Sequence, residues 1–370
     1  MKMTDTIGLY IHIPFCLSKC GYCDFYSFVP DEGTMNRYLD ALLKRTDEYS
    51  AVINCPVDTI YIGGGTPSVF GGERISHLIE KIRSCFSVTP DCEITVECNP
   101  SSVDEKLVKA LREAGVNRIS MGVQSAVTSE RKSLGRLSDS QQAKRAVELF
   151  RENGFENISL DLMLGLENQT IDTLDESLDF ILSLDTKHVS AYLLKLEEGT
   201  PLFERRNSLS LPDEDEICEL YLHTVKRLRE NGIFQYEISN FARPGFESRH
   251  NLKYWKDEEY LGLGPSAHSF LDGKRFYFER DFDGFLNGKK PKDDGFGGGE
   301  EEYIMLRLRL KDGVRFSEFQ KRFGKAFPDS IIKEAKNLMK YEVITLDKSG
   351  IRLTENGFLL SNSVIAELLF

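Results

Sequence analysis

The chain has 370 residues, 41% hydrophobic and 29% charged, with 47 Lys and Arg against 59 Asp and Glu for a formal charge of −12. This length and balance describe a globular protein of two domains and exclude a disordered chain, which lacks the apolar residues to offset chain entropy. The acidic excess argues against a nucleic-acid binder, which needs a basic surface to displace counterions. No run reaches the roughly 18 apolar residues of a membrane span, and Met1 to Gly8 contains no apolar signal core, so a cytoplasmic protein without a transmembrane segment is expected.

Over residues 1–240, short β-branched runs alternate with amphipathic stretches. Strands are predicted at residues 9–13, 59–62, 93–97, 118–123, 158–164 and 188–194. Helices are predicted at 38–52, 74–85, 104–114, 138–153, 173–183 and 213–231. Six strand–helix units in succession imply an α/β domain with a parallel sheet covered by helices. A doubly wound open sheet and an incomplete β/α barrel both fit the pattern. Ser138 is placed to cap the fourth helix, and Gly115 and Gly154 to end the third and fourth.

Residues 241–299 read as an irregular connecting segment. At its end, Asp293-Asp294-Gly295-Phe296-Gly297-Gly298-Gly299 runs into Glu300-Glu301-Glu302, and glycine with charge of one sign marks a flexible boundary. Residues 300–370 carry helical patterns at 302–310, 317–323 and 330–341, then short strands at 343–346 and 351–353. Thr354 is placed to cap a last helix running to Leu369. The set suggests a small α+β, winged-helix-like domain; such domains often bind DNA, but the acidic balance weighs against it here.

The eight cysteines are too sparse for a disulfide framework, which points to a reducing compartment. Cys85 and Cys98 read as small buried hydrophobes; Cys55, Cys92 and Cys218 suggest no role. Cys16, Cys20 and Cys23 stand apart, clustered just after the first strand. Soft thiolates at that spacing suit zinc or an iron–sulfur cluster. A closed zinc site needs four ligands, and only His12 stands near as a fourth. Three thiolates on a four-iron cluster would leave one iron open.

Further polar signals sit at later strand ends. Ile62-Gly63-Gly64-Gly65-Thr66-Pro67-Ser68 closes the second strand, and glycines there let a ligand approach the backbone. Ligands bind at the C-terminal ends of parallel strands in barrels and in open sheets alike. Glu97 ends the third strand, Gln124 and Ser125 follow the fourth, and Arg136 comes twelve residues after Gln124. Asp161 lies inside the apolar fifth strand, where a carboxylate is costly unless bonded or paired.

Cys16-x-x-x-Cys20-x-x-Cys23 with Gly64-Gly65-Thr66-Pro67 resembles the radical S-adenosylmethionine superfamily. Tyr10-Ile11-His12-Ile13-Pro14-Phe15-Cys16, Ser120-Met121-Gly122-Val123-Gln124 and Asp161-Leu162-Met163-Leu164-Gly165-Leu166 are similar to one branch of it. That branch holds oxygen-independent coproporphyrinogen III oxidase (HemN) and the haem chaperone HemW. The likeness extends to Leu353-Thr354-Glu355-Asn356-Gly357 in the last domain.

The resemblance implies a six-stranded parallel (β/α) partial TIM-type barrel. It implies a [4Fe–4S] cluster on Cys16, Cys20 and Cys23, with the open iron chelated by the amino and carboxylate groups of S-adenosylmethionine. Carried over to matching positions, Gly64, Gly65 and Thr66 would contact the methionine end. Glu97, Gln124, Arg136 and Asp161 would hold the rest, with Asp161 accepting charge-assisted bonds from ribose hydroxyls. Tyr10 would lie beside the cluster and Tyr22 against adenine. An electron from a flavodoxin- or ferredoxin-type donor would cleave a carbon–sulfur bond to give a 5′-deoxyadenosyl radical, chemistry that belongs to the cofactors. No catalytic residue of the chain itself is identified.

Within the branch, Asp24 and Phe25 follow Cys23 where the oxidase motif extends to a fourth cysteine, and the oxidase's long N-terminal extension is not present before Gly8. His250-Asn251-Leu252-Lys253-Tyr254-Trp255 resembles the HNxxYW motif of the chaperone. This implies His250 as a haem ligand, with Asn251, Tyr254 and Trp255 beside the macrocycle; imidazole is a good axial ligand, and Tyr and Trp offer flat amphipathic surface. Arg243 and Arg249 are candidates for the haem propionates, and His268 is a second candidate ligand. The leading expectation is a haem-binding protein that delivers haem to acceptor haemoproteins. The alternatives are an oxygen-independent coproporphyrinogen III oxidase and, from another class, a zinc-binding winged-helix regulator.

Overall fold

Six apolar runs with polar residues at every second position become six parallel strands. The computed structural model describes residues 5–136 and 138–370. Met1 to Thr4, the start of the stretch read as free of a signal core, lie outside the described residues. Ile7–Ile13 (β1), Val57–Gly64 (β2), Val88–Cys98 (β3), Arg118–Gln124 (β4), Asn157–Leu164 (β5) and His188–Leu193 (β6) each pair in parallel with the next. Successive side chains point to opposite faces of a strand. On β1, Ile7, Leu9, Ile11 and Ile13 are fully buried on one face, while Tyr10 and His12 occupy the other. The same alternation puts Thr95 and Glu97, Arg118 and Ser120, Ser159 and Asp161, and His188 and Ser190 on the second face. One face is thus an apolar seat for helices, and the other is a polar lining.

The sheet continues beyond these six strands. Phe234–Gln235 (β7), Asn240–Ala242 (β8), Tyr260–Leu263 (β9), His268–Leu271 (β10), Lys274–Tyr277 (β11) and Lys292–Phe296 (β12) complete the order β12-β11-β10-β9-β1-β2-β3-β4-β5-β6-β8-β7. β9 runs parallel to β1, and β8 runs antiparallel to β6. Residues 241–299, read as irregular, therefore extend the same sheet. The glycine- and acid-rich boundary at 293–299 overlaps β12, which pairs antiparallel with β11. Gly and Asp disfavour strands in general. An exposed edge strand needs only its ladder hydrogen bonds, and its charges discourage further pairing.

Residues 300–370 form the helices Glu300–Arg307, Phe316–Phe323, Asp329–Leu338, Glu355–Leu359 and Ser361–Leu369 around a small antiparallel sheet. Its strands are Val314–Arg315 (β13), Ile344–Leu346 (β14) and Gly350–Leu353 (β15), in the order β13-β15-β14. β13 has only two residues, too few to show a period, and the last helix is broken at Leu360. Thr354 caps the first of the two pieces.

Local signals held elsewhere, with one shift. Gly115 and Gly154 follow their helices in left-handed conformation, φ +83° and +81°. The fourth predicted helix is capped by Asp139, not Ser138. The Asp139 carboxylate accepts from Gln142 N–H at 2.7 Å, and the Gln142 side chain accepts from Asp139 N–H at 2.9 Å. Loss of such a cap costs about 1 kcal/mol, so Asp139→Ala is expected to lower unfolding stability by that amount in a urea titration.

Candidate functional site

The C-terminal ends of β2 to β6 and the loop after β1 surround one cavity of about 490 Å³. The loop is held by its own backbone: Cys16 N–H donates to Phe28 O at 3.0 Å, Phe28 N–H to Pro14 O at 2.9 Å, and Gly21 N–H to Leu134 O at 2.9 Å. Cys16, Cys20 and Cys23 all line the cavity. Burial raises the Cys23 thiol pKa, and the neighbouring thiols of Cys20 and Cys16 raise it further. Three thiols around one cavity are a donor set for a soft cation, which binds the thiolate form. Among the described residues, no three ligating side chains already stand at metal-holding spacing.

The glycine run lets this loop lie against the sheet. A Cβ on Gly64, whose φ is +119°, would sit 2.6 Å from His12 Nδ1. A Cβ on Gly65 would sit 2.7 Å from Phe15 O and 3.0 Å from Cys16 Sγ. Gly65 N–H donates to Ile13 O at 2.9 Å and Thr66 N–H to Phe15 O at 2.7 Å, with Thr66 Oγ1 3.5 Å from Cys16 Sγ. Gly64, Gly65 and Thr66 also face the cavity.

Two carboxylates form the floor. Glu97 accepts from Tyr61 O–H at 2.7 Å and from Gly64 N–H at 3.0 Å. Burial lifts its pKa to about 7, and the nearby charge of Asp161 adds to the rise. Asp161 accepts from Ser120 at 3.4 Å and from Ser190. Burial raises its pKa too, against the pull of Arg118 and Arg136. Gln124 closes β4 with φ +72°, a left-handed conformation that costs a non-glycine residue energy. Its Oε1 is buried without a partner. Arg136 donates to Gly122 O and to the Tyr22 hydroxyl, while its Nε is buried and unpaired. Buried polar groups are rarely left unsatisfied in a finished structure. A cationic ligand bearing hydroxyl and amine groups suits this floor.

The structure gathers Tyr22, Gly64, Gly65, Thr66, Glu97, Gln124, Arg136 and Asp161 with the three cysteines around one space. Tyr10 is not part of the lining. Its hydroxyl lies 3.0 Å from His12 Nδ1 and its ring stacks on Tyr61, so it stands behind the site. Tyr192, Lys195 and Arg280 were not singled out, yet all line the cavity. Tyr192 and Lys195 lie at the end of the sixth strand, so the strand-end rule could have found them. Arg280 comes from far along the chain and bonds Asp24 of the cysteine loop at 2.9 and 3.3 Å.

The HNxxYW-like segment lies elsewhere. His250, on the helix Arg249–Trp255, has 0% exposure. One ring nitrogen lies 2.8 Å from Thr59 Oγ1 and the other 2.8 Å from Tyr254 Oη, its i+4 neighbour. Its backbone N–H donates to the Glu93 carboxylate at 3.0 Å, and Tyr61 stacks on its ring. In this arrangement both ring nitrogens are engaged by hydroxyls of the chain itself. Asn251 N–H donates to the capping Ser248, and Trp255 bonds Glu237. Arg249 pairs with Asp91 and Asp58, and Arg243 with Asp185. In this arrangement the segment packs against the sheet through Thr59, Tyr61 and Glu93. His268 is exposed and stacks on Tyr277 at 5.0 Å.

Residues 10–181 match the radical SAM superfamily, and residues 301–360 match the HemN C-terminal domain. The chain is 36% identical to the heme chaperone HemW of Bacillus subtilis over 97% of this chain and 98% of that one. It is 35% identical to the heme chaperone HemW of Escherichia coli over 99% and 98% of the two chains. The solved coproporphyrinogen III oxidase (HemN) of Escherichia coli superposes with a TM-score of 0.85 at 22% identity, covering 98% of this chain and 90% of that one. That last likeness concerns fold.

Two outcomes are expected. A cation bound beside Glu97 lowers its pKa, so the affinity for S-adenosylmethionine should rise with pH between roughly 6 and 8 as Glu97 ionises. Glu97→Gln should flatten that rise in equilibrium dialysis; an identical pH profile for both proteins would remove Glu97 from the site. His250→Ala should cost roughly 3 kcal/mol in urea denaturation, since it empties a buried ring site and strands two hydrogen-bond partners.

Proposed function

Because the chain belongs to the haem chaperone HemW family of the radical SAM superfamily, we propose that it binds haem and delivers it to acceptor haemoproteins. It does so from a scaffold for a [4Fe–4S] cluster and S-adenosylmethionine. The observation that carries the cofactor reading is a single cavity with three thiols on its rim, two raised carboxylates on its floor, and unpaired polar atoms of Gln124 and Arg136 in its wall.

Cys16, Cys20 and Cys23 would hold the cluster through their thiolates. When bound, the cluster and S-adenosylmethionine supply one-electron cleavage of the sulfonium. The chain's own residues bind and orient. Asp161, held by Ser120 and Ser190, accepts the ribose hydroxyls. Gln124 and Arg136 complete the polar contacts, and Tyr22 closes over the adenine side. Glu97 faces the positive charge. Tyr10 supports the loop from behind through His12. A flavodoxin- or ferredoxin-type protein is the proposed electron donor. Phe25, 66% exposed, stands where the oxidase motif has its fourth cysteine, which favours the chaperone reading over the oxidase. We read β1 to β6 as the partial barrel that presents these loops, and residues 300–370 as a winged-helix-like unit braced on it by Arg322 to Asp257 at 2.5 Å and Arg229 to Glu355 at 2.7 Å. No described helix is long and apolar enough to cross a membrane.

Anaerobic reconstitution tests the cofactor reading: about four irons and matching sulfide per chain are expected. Cys20→Ser should lose the iron and the visible absorption; a variant with full iron content would overturn the ligand assignment. Asp161→Ala should keep the iron and weaken S-adenosylmethionine binding by roughly 10- to 100-fold, the worth of a charged hydrogen bond. Unchanged affinity by equilibrium dialysis would remove Asp161 from the site.

A further inference from the structure

The polar face of the sheet is built in rows, because parallel strands pair residue by residue and side chains alternate between faces. Glu97 of β3 pairs with Ser120 of β4, and Asp161 of β5 pairs with Gly122 of β4. One step toward the N-terminal ends of the strands, Thr95, Arg118 and Asn157 form a row on that same face. Three buried atoms of this row, Thr95 Oγ1, Arg118 Nε and Asn157 Oδ1, have no hydrogen-bond partner among the described residues. Arg118 is 2% exposed and does not line the cavity. A guanidinium does not give up its charge in a protein, and a buried cation without a contacting partner is costly.

Its charge acts through space. Glu97 takes hydrogen bonds from Tyr61 and Gly64, and Asp161 from Ser120 and Ser190. Arg118 bonds neither carboxylate, yet its field favours the anion of both. The other groups that face Glu97 are Tyr10 from β1, Tyr61 from β2, Asp161 from β5, Tyr192 from β6 and Tyr254 from the helix Arg249–Trp255. The Cys98 thiol neighbours it on β3. These are phenols, a thiol and a second acid, and none of them offsets a negative charge. Asp161 is faced by Tyr192, by Arg118 and by Arg136 of the cavity wall. Burial, with the charge of Arg118 adding to it, lowers the His188 imidazole pKa far below its usual value, so His188 brings no second cation to this face.

Resting on the cofactor reading, we infer that Arg118 is a positioning residue for S-adenosylmethionine. Its guanidinium is the buried counter-charge that keeps Glu97 and Asp161 anionic, the first to face the sulfonium and the second to accept the ribose hydroxyls. A salt bridge in contact would occupy carboxylate oxygens that the ligand needs. A cation one row below exerts the same pull and occupies none of them.

The test is S-adenosylmethionine binding to the cluster-loaded protein by equilibrium dialysis, from about pH 6 to about pH 9. Wild type, Arg118→Met, Arg118→Lys and Asn157→Asp are compared, with iron content and visible absorption showing that each is loaded. Loss of an opposite charge raises a carboxylate pKa, so in Arg118→Met the rise of affinity with pH should move upward by about one pH unit. Near neutral pH this is roughly fivefold weaker binding, recovered at the alkaline end. Arg118→Lys keeps the charge and should keep the wild-type profile. Asn157→Asp sets a carboxylate beside Arg118 in its row and cancels the charge without removing the side chain. It should move the rise in the same direction, and it decides the matter if Arg118→Met takes up no iron. Affinity lowered by one factor at every pH in Arg118→Met, or an unmoved profile in Asn157→Asp, overturns the inference and leaves Arg118 a packing residue. A wild-type affinity that does not vary with pH also overturns it, while the cofactor reading stands. If loaded wild type binds no S-adenosylmethionine, the cofactor reading fails and takes the inference with it.

Discussion

The structure depends on one constraint: ionisable side chains fill the inner face of the sheet, away from water. Arg118 is 2% exposed, Glu97, Asp161 and His188 stand on the same lining, and His250 packs against it from the helix Arg249–Trp255. Desolvation penalises every charged form there. It raises the carboxylates, lowers the imidazoles, and makes each unpaired polar atom costly. Toward the helix Arg249–Trp255, the protein supplies the partners itself through Thr59, Tyr254 and Glu93. Toward the strand ends it does not. The two carboxylates there sit at raised pKa, and Gln124 and Arg136 keep unmet hydrogen-bonding capacity. The difference between the two ends separates a packed floor from a binding cavity.

The cysteine loop is tied to that cavity through His12. Its Nδ1 meets Tyr10, its Nε2 lies 2.9 Å from Tyr26 O, and its carbonyl accepts from the Tyr38 hydroxyl. Burial lowers the imidazole pKa to about 4, so it acts as a neutral connector between β1 and the loop. Gly64 and Gly65 leave room for this arrangement, since side chains there would strike His12, Phe15 and Cys16. The three cysteines and the carboxylate floor thus belong to one continuous piece of hydrogen-bonded structure. The glycines serve that close approach as much as any ligand.

Much of this was legible along the chain. Alternation of apolar and polar residues marked β1 to β6, and the rule that ligands gather at strand ends picked out Glu97, Gln124 and Asp161. β7 to β12 were not legible. They are short, and the glycine- and acid-rich β12 runs against strand propensity; an existing sheet edge supplies their hydrogen bonds. That Tyr10 stands behind the cavity lining was not legible either, because period two gives the face of a residue and not its depth.

The amino-acid sequence by itself determined the repeated strand–helix order, the three-thiol loop and the carboxylates that accompany it, since each is a matter of local period, spacing and residue chemistry. Only the tertiary structure decided which histidine is buried and which is open. His250 and His268 are equal as letters. Packing sealed the first between Thr59 and Tyr254 and left the second on an exposed ladder beside Tyr277. Accessibility depends on what else the chain brings to that point, and for His250 the decisive neighbour, Thr59, lies 191 residues away.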